Sequence, residues 1–384
     1  MKFKYGLPGE VGMSSSRIAN LEKLQKEWVN QGVSPIIVSL IARRGVIVSH
    51  NFYVNPEYER NYGPVDLNTI FPLASISKSV TASAIMLLVE EGKVAVNVPV
   101  QDYIPEFVGE HKEKVLIHHL MTHTSGIAED YIWNAMNKGE APSDRSQCPN
   151  NQHPEVFKYL TAGYEAPLSF LPGKEMRYCG FAFTLLTEVI RRVTGQSFPD
   201  FVEERLFNPL GMVDSHFLLP ESKYSRVAQH PPNAPFPDFA HYDQISIPWG
   251  GSGLCSTVMD MAVFAQTFLN GGSYNDQRLW SKLSVEKMTS NQIPGVSSRI
   301  GDEFFREACW GLAWNVSGSK QDYTGTLRSE KTFSNSGRGN TLIMVDPVNE
   351  MVILNFQITM KRVNNRPYHY FEYFSDAALS CMED

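Results

Sequence analysis

The segment from Phe71 to Val80, FPLASISKSV, sets Lys78 three residues after Ser75 in a run of small and apolar side chains. A serine hydroxyl becomes a nucleophile when a nearby base takes its proton, and a lysine can be that base where its ammonium form is disfavoured. The spacing itself is common, since Ser284 and Lys287, and Ser317 and Lys320, share it. Context separates the first pair. TIFPLA before Ser75 reads as extended chain, with Pro72 suited to a lead-in rather than a helix interior. VTASAIMLLVEEG after it reads as an apolar helix ending at Gly92. On that helix Lys78 lies one turn beyond Ser75 and shares a face with Ala82, Ile85, Met86 and Val89, the stripe that must be buried. Burial can lower a lysine pKa by several units, so an amine there is expected to act as a base near neutral pH and take the Ser75 proton. Ser75, at the helix N-terminus, would also have backbone N–H groups beside it, which suit an oxyanion. The competing reading is a capping serine and a lysine that snorkels to solvent.

The rest of the chain narrows the chemistry. A length of 384 residues implies one large or two interleaved domains. The formal charge of -7, with no run of Lys or Arg, excludes a nucleic-acid binder and leaves a small molecule as the expected partner. MKFKYGLPGEVGMSSS has no apolar stretch after its lysines, and runs such as PIIVSLIA (35–42) are too short to cross a membrane, so no membrane partner and a cytoplasmic location are expected. Five widely spaced cysteines fit reduced thiols better than a disulfide framework. His118, His119 and His123 lie close together, but no HExxH or carboxylate partner follows, so they read as structural and neither a metal nor an organic cofactor is expected. No Gly-x-Ser-x-Gly elbow occurs, which argues against an α/β-hydrolase with a Ser-His-Asp triad.

The elements that must position Ser75 and Lys78 follow from periodicity. Residues 14–32 predict a helix with Ile18, Leu21, Leu24 and Trp28 on its buried side, stopped by Gly32. Residues 34–54 give two β-rich runs around RRG, a hairpin. From Ser75 to about Leu210 the pattern is helical with polar loops, the longest being 129–154, and includes an amphipathic helix over 181–195 closed by Gly195. Another helix is expected over 257–272. Strand character returns at 310–316, around Thr332 and Phe333, and in a hairpin over 339–358 turned by DPVNE, before a last helix at 370–382. Strands at both ends around a helical middle imply one antiparallel sheet shared by the termini: an α/β (α+β) fold with residues 1–80 and 250–384 in one domain, residues 81–249 in an inserted, mainly helical one, and the active site between them.

Taken together, the segments TIFPLASISKSVTASAIMLLVEEGKV, VQDYIPEF, IHHLMTHTSGI, LSFLPGKEMRYCGFAFTLLTEVIRRVTG, FVEERLFNPLGM and GGSGLCSTVMDMAVFAQTFLNGG, in that order, resemble the serine β-lactamase-like superfamily of class C β-lactamases, penicillin-binding proteins, D-aminopeptidases and related carboxylesterases and acyltransferases. The resemblance spans about Ser14 to Ile358 and implies that superfamily's fold. It also implies that Ser75 is the acylated nucleophile, Lys78 its proton partner, and Tyr178, after Pro172 and Gly173, the group that passes the proton to the leaving group and then activates water. NSG (335–337) stands where the superfamily carries its third motif, so Asn335, Ser336 and Gly337 would border the substrate, and the Arg338 backbone N–H would join that of Ser75 in the oxyanion hole. Tyr131, Trp133, Tyr242, Trp249, Trp310, Trp314 and Phe333 fall where the superfamily lines its cleft, and imply an apolar acyl pocket. Two positions depart: Gly180 replaces the usual Asn two residues after the tyrosine, and Asn335 replaces the usual cation. Both lost groups recognise amides or carboxylates, so the resemblance implies a carboxylesterase acting on a small or medium ester through an acyl-enzyme. An acyltransferase using the same intermediate, an amide hydrolase of D-aminopeptidase or β-lactamase type, and a non-catalytic binding module are the alternatives.

Overall fold

The computed structural model describes residues 2–139, 145–240, 245–300, 303–318, 322–361 and 369–384. Seven strands form the main sheet: β1 (Lys4–Tyr5), β2 (Ile36–Arg43), β3 (Val46–Val54), β4 (Asn315–Val316), β5 (Phe333–Gly337), β6 (Thr341–Asp346) and β7 (Met351–Gln357). Their order is β1-β3-β2-β7-β6-β5-β4, so the two ends of the chain meet where β7 runs antiparallel to β2 with Ile353 opposite Ile41. Both faces of this sheet are covered, which is why its strands read as near-continuous apolar runs. On one face Val38, Leu40, Val352, Leu354 and Phe356 join the large core. On the other, Ile37, Ile41, Met351 and Ile353 pack with Ile18, Leu21 and Trp28 of helix α1 (Ser15–Asn30) and with Phe374 of the C-terminal helix. The hairpin between β2 and β3 turns on Arg44 and Gly45, both at positive φ (52° and 74°), as a two-residue turn between twisted strands requires.

The helices that matter to the site are α2 (Ser77–Glu90), α3 (Glu129–Asn137), α4 (Pro154–Gly163), α5 (Phe181–Thr194) and α6 (Val258–Leu269); α7 (His369–Leu379) closes the chain. Gly195 caps α5 at φ 74°, and the Thr257 side chain caps α6 by accepting from the Asp260 N–H.

Three expectations need correction. The strand over 310–316 shrinks to Asn315–Val316, because Cys309 and Ala313 take positive φ (48° and 63°) and bend the segment before it can pair. The loop over 129–154 begins as a helix: Ile132 is fully buried, and Glu129 and Asp130 sit in the first turn, where the helix dipole favours acids. Finally, the α-helix after Ser75 starts at Ser77, and Ala74–Ile76 is a 3-10 turn with Ala74 at φ 45°.

The lead-in to that turn is itself anchored, since Phe71–Pro72 pairs antiparallel with Cys255–Ser256 at the start of α6. Ser256 Oγ meets Ser215 Oγ at 2.7 Å, and Asp260 Oδ2 accepts from Ser215 Oγ (2.9 Å) and the Asp214 N–H (2.8 Å). Burial pushes the Asp260 carboxyl from 3.8 up to about 6. The folded value lies above the unfolded one, so the native state holds the proton more tightly, and stability falls as pH rises from about 4 through about 6. Asp260→Asn keeps an acceptor at the Oδ2 position and removes the buried charge. We expect it to raise stability at pH 8 by about 1 kcal/mol or more and to flatten that pH dependence; thermal melts of both proteins from pH 4 to 8 check this.

Candidate active site

Ala74 in the left-handed region makes the chain turn sharply just before Ser75, a strain that the pairing of the lead-in supports. The turn leads into α2, whose residues Ser77 to Leu88 are all buried, and Lys78 is only 3 % exposed. Lys78 Nζ lies 3.3 Å from Ser75 Oγ and donates to the Gly251 carbonyl at 2.7 Å. It also stands 4.8 Å from the centre of the Tyr178 ring and 5.6 Å from that of Phe183. The lysine therefore does not snorkel, and the buried face expected for Lys78, Ala82, Ile85 and Met86 is present, while Val89 at its end is only partly buried.

The GGSG segment (250–253), part of a block that carries the family resemblance, threads between α2 and α5. Thr81 Oγ1 donates to the Gly250 carbonyl (2.6 Å), and the Leu254 N–H donates to Ser77 Oγ (2.9 Å). A Cβ at Gly250 would stand 2.3 Å from Thr187 Cγ2 and 2.8 Å from the Phe183 carbonyl oxygen, so only glycine permits this approach. Two adjacent glycines before an apolar helix were the available signal.

Tyr178 is 40 % exposed, with one ring face covered: His123 stacks against it at 4.1 Å with an interplanar angle of 25°. His123 sits among Tyr178, Phe183 and Trp310, and its Nδ1 accepts the Cys179 N–H at 3.0 Å, which assigns the proton to Nε2. Burial, and then the Lys78 charge, push His123 well below its ordinary pKa, so it is a neutral plate under the tyrosine rather than a base. The histidine read as structural thus holds a ring of the site.

At the far side, β5 brings Gly337 against the turn before the serine. A Cβ on Gly337 would lie 2.2 Å from the Leu73 carbonyl oxygen. Gly337→Ala must move β5, and with it Arg338, away from Ser75. We expect it to lower kcat/KM on a short aryl ester about 10- to 100-fold with the fold retained by circular dichroism.

The structure separates the expected substrate-contacting residues. Tyr131 (51 % exposed) and Trp133 (47 %) project from α3, and Trp249 packs edge-on against Tyr159 at 5.5 Å. Ser336 is half-buried, and its N–H donates to Asn335 Oδ1 at 2.8 Å. Phe333, by contrast, is 2 % exposed and packs on Trp314 and Phe268 in the core, so it does not line a cleft. The Asn335 amide is likewise turned inward, donating to Ser79 Oγ (2.7 Å) and the Ala313 carbonyl (3.1 Å). It ties β5 to α2 and leaves that face of the site without a cation at this position. Strand periodicity explains both: residues 333 and 335 share one side of β5. Tyr242 lies outside the described residues. Among those described, no group of three or more His, Cys, Asp or Glu is arranged to hold a metal ion.

One carboxylate was missed. Glu129, at the start of α3, accepts from the Gly180 N–H (2.9 Å), the Phe181 N–H (2.8 Å) and the Tyr159 hydroxyl (2.9 Å). It caps α5 directly behind Tyr178. Nothing in the local sequence marks it, because its partners lie 30 to 52 residues away.

Known proteins share the family and the fold of this chain. The chain is 28 % identical over 382 residues to an Escherichia coli (strain K12) protein named "Putative D-alanyl-D-alanine carboxypeptidase", an alignment covering 90 % of this chain and 83 % of that one. Among solved structures it resembles EstCE1, a hydrolase with promiscuous acyltransferase activity, at a TM-score of 0.75 and 20 % identity, covering 95 % and 98 % of the two chains. It also resembles a family VIII carboxylesterase at 0.74 and 19 %, covering 97 % and 99 %. The Beta-lactamase family model matches residues 21–369, and the chain belongs to that family of serine hydrolases, with the β-lactamase/transpeptidase-like fold.

Proposed function

We propose that the chain hydrolyses carboxylic esters through an acyl-enzyme on Ser75. The observation that carries this reading is Ser75 Oγ at 3.3 Å from the buried Lys78 Nζ, beneath the half-exposed Tyr178 ring. Oγ attacks the acyl carbon while its proton passes to the Lys78 and Tyr178 pair, and the backbone N–H groups of Ser75 and Arg338 hold the carbonyl oxygen as it becomes an oxyanion. The C–O bond to the alcohol breaks, Tyr178 protonates the leaving oxygen, and water repeats the sequence to release the acid. Lys78 is held in place by the Gly251 carbonyl, and Tyr178 by the His123 plate.

An ester is favoured over an amide by what surrounds the nucleophile. Gly180 has no side chain to take an acyl-amide group, and the Asn335 amide is engaged by Ser79 and Ala313. An alcohol also leaves without the strong general acid an amine needs. Transfer of the acyl group to a second alcohol or amine is the second reading, and it uses the same intermediate; EstCE1 carries acyltransferase activity in its name. A cytoplasmic setting is part of the proposal: none of the five cysteines is joined in a disulfide, four of them are buried, and no described helix is long and apolar enough to cross a membrane. Cell fractionation tests it, and recovery outside the cytosol would contradict it.

The test of function is a panel of aryl esters of increasing acyl length, a D-alanyl amide and a chromogenic cephalosporin, run with wild type and Tyr178→Phe. We expect turnover of the esters, little of the other two, and a loss of about 10²-fold or more in Tyr178→Phe. Rapid cephalosporin turnover with inert esters would overturn the reading.

A further inference from the structure

The missing side chain at Gly180 and the missed carboxylate of Glu129 are two halves of one arrangement. A Cβ on Gly180 would stand 2.9 Å from Glu129 Oε1, so the carboxylate occupies the room that a side chain at 180 would fill. Burial first, and then the Glu129 charge, push the Tyr159 phenol far up, which keeps it a donor to Glu129. Oε1 accepts two of the three hydrogen bonds and Oε2 one, and a carboxylate has about four acceptor positions. Among the described residues one acceptor position on Oε2 is left, on a residue that is only half-buried.

Aromatic rings pack on Tyr159, whose hydroxyl donates to Glu129. Trp133 lies one turn along α3 from Glu129, on the same helical face, and packs on Tyr159 at 5.1 Å; Trp249 meets Tyr159 from another side at 5.5 Å. A negative, acceptor-only group in an aromatic neighbourhood matches an ammonium, which gives it a charge-assisted hydrogen bond and is attracted to ring faces. It is a poor match for an N-acyl substrate, whose carbonyl oxygen would meet an acceptor with no hydrogen to share.

Building on the acyl-enzyme reading of Ser75, we propose that Glu129 is a specificity-determining residue and that the acyl group this site favours carries a free amine close to the scissile carbonyl, making the substrate class aminoacyl esters. The reaction is the one already described, with the Ser75 ester formed as the alcohol leaves and then cleaved by water to release the free amino acid. The ammonium keeps its protons throughout.

Three matched methyl esters test this at pH 7 and low salt, with methanol release as the readout: alanine methyl ester as each enantiomer, N-acetylalanine methyl ester, and methyl isobutyrate, in which a methyl group replaces the ammonium. Each kcat/KM is divided by the hydroxide-catalysed rate of the same ester, which removes the intrinsic activation by the ammonium. The expected result is a corrected preference of at least about tenfold for one alanine enantiomer over isobutyrate, with the N-acetyl ester poorest. That preference falls toward one in Glu129→Gln and shrinks with added salt in wild type. A corrected ratio of one or below in wild type, with isobutyrate still cleaved in a Ser75-dependent way, overturns the Glu129 assignment and leaves the hydrolase reading standing. An unchanged ratio in folded Glu129→Gln also overturns it. If no ester of any kind is cleaved, both readings fail. If Glu129→Gln does not fold, the wild-type ratio and its salt dependence decide.

Discussion

Ser75→Ala is expected to lower kcat/KM for a short aryl ester by about 10⁴-fold or more, with KM nearly unchanged and the thermal midpoint within a few degrees of wild type. The size follows from the role, because no acyl-enzyme can form without Oγ and only the oxyanion donors and binding contacts remain. The small stability effect follows from the surroundings. Ser75 is half-buried on a 3-10 turn fixed by neighbouring residues, through the pairing of Phe71–Pro72 with Cys255–Ser256 and the bond from the Leu254 N–H to Ser77 Oγ. Steady-state kinetics and a melting curve on the same preparation separate the two effects, and activity within tenfold of wild type would remove Ser75 from the mechanism.

The second large effect is expected at Lys78. Met replaces its length and apolar stem without the amine, so Lys78→Met should keep the packing against Phe183 and α2 while leaving Ser75 without its proton partner. A general base contributes about 10²- to 10⁴-fold, and the loss should fall on kcat rather than KM. Lys78→Arg should fare no better. The fork of a guanidinium does not fit the place of one amine between Ser75 Oγ and the Gly251 carbonyl, 3.3 and 2.7 Å from the present nitrogen. Retention of most of kcat by Lys78→Met would move the base function to another group, and Tyr178 would then be the residue to examine.

How much of this was legible in the sequence depended on the range of the interaction. Lys78 is buried as its neighbours required, because helical periodicity places Ala82, Ile85 and Met86 on its face and those residues are themselves buried. The two hairpins and the helix closed by Gly195 were readable because each carries its own turn chemistry. The meeting of β2 with β7 followed from strand character at both ends of the chain. Contacts made across the fold were not readable. Glu129 sits behind Tyr178 only because α3 and α5 converge, and the Gly251 carbonyl reaches Lys78 from 173 residues away. Phe333 and Asn335 were placed at the substrate by their position in the chain, and strand alternation turned them inward. The helix at 129–137 was hidden by the polar stretch KGEAPSDRSQCPNNQHP that follows it and by having Ile132 as its one fully buried apolar anchor.

The central claim is that one hydroxyl, Ser75 Oγ, becomes acylated. Intact-mass analysis after treatment with a fluorophosphonate, followed by peptide mapping, tests it most directly. The account predicts a single adduct on the peptide containing Ser75, greatly slowed in Lys78→Met and absent from Ser75→Ala. An adduct on any other residue, or equal labelling of Ser75→Ala, would contradict it.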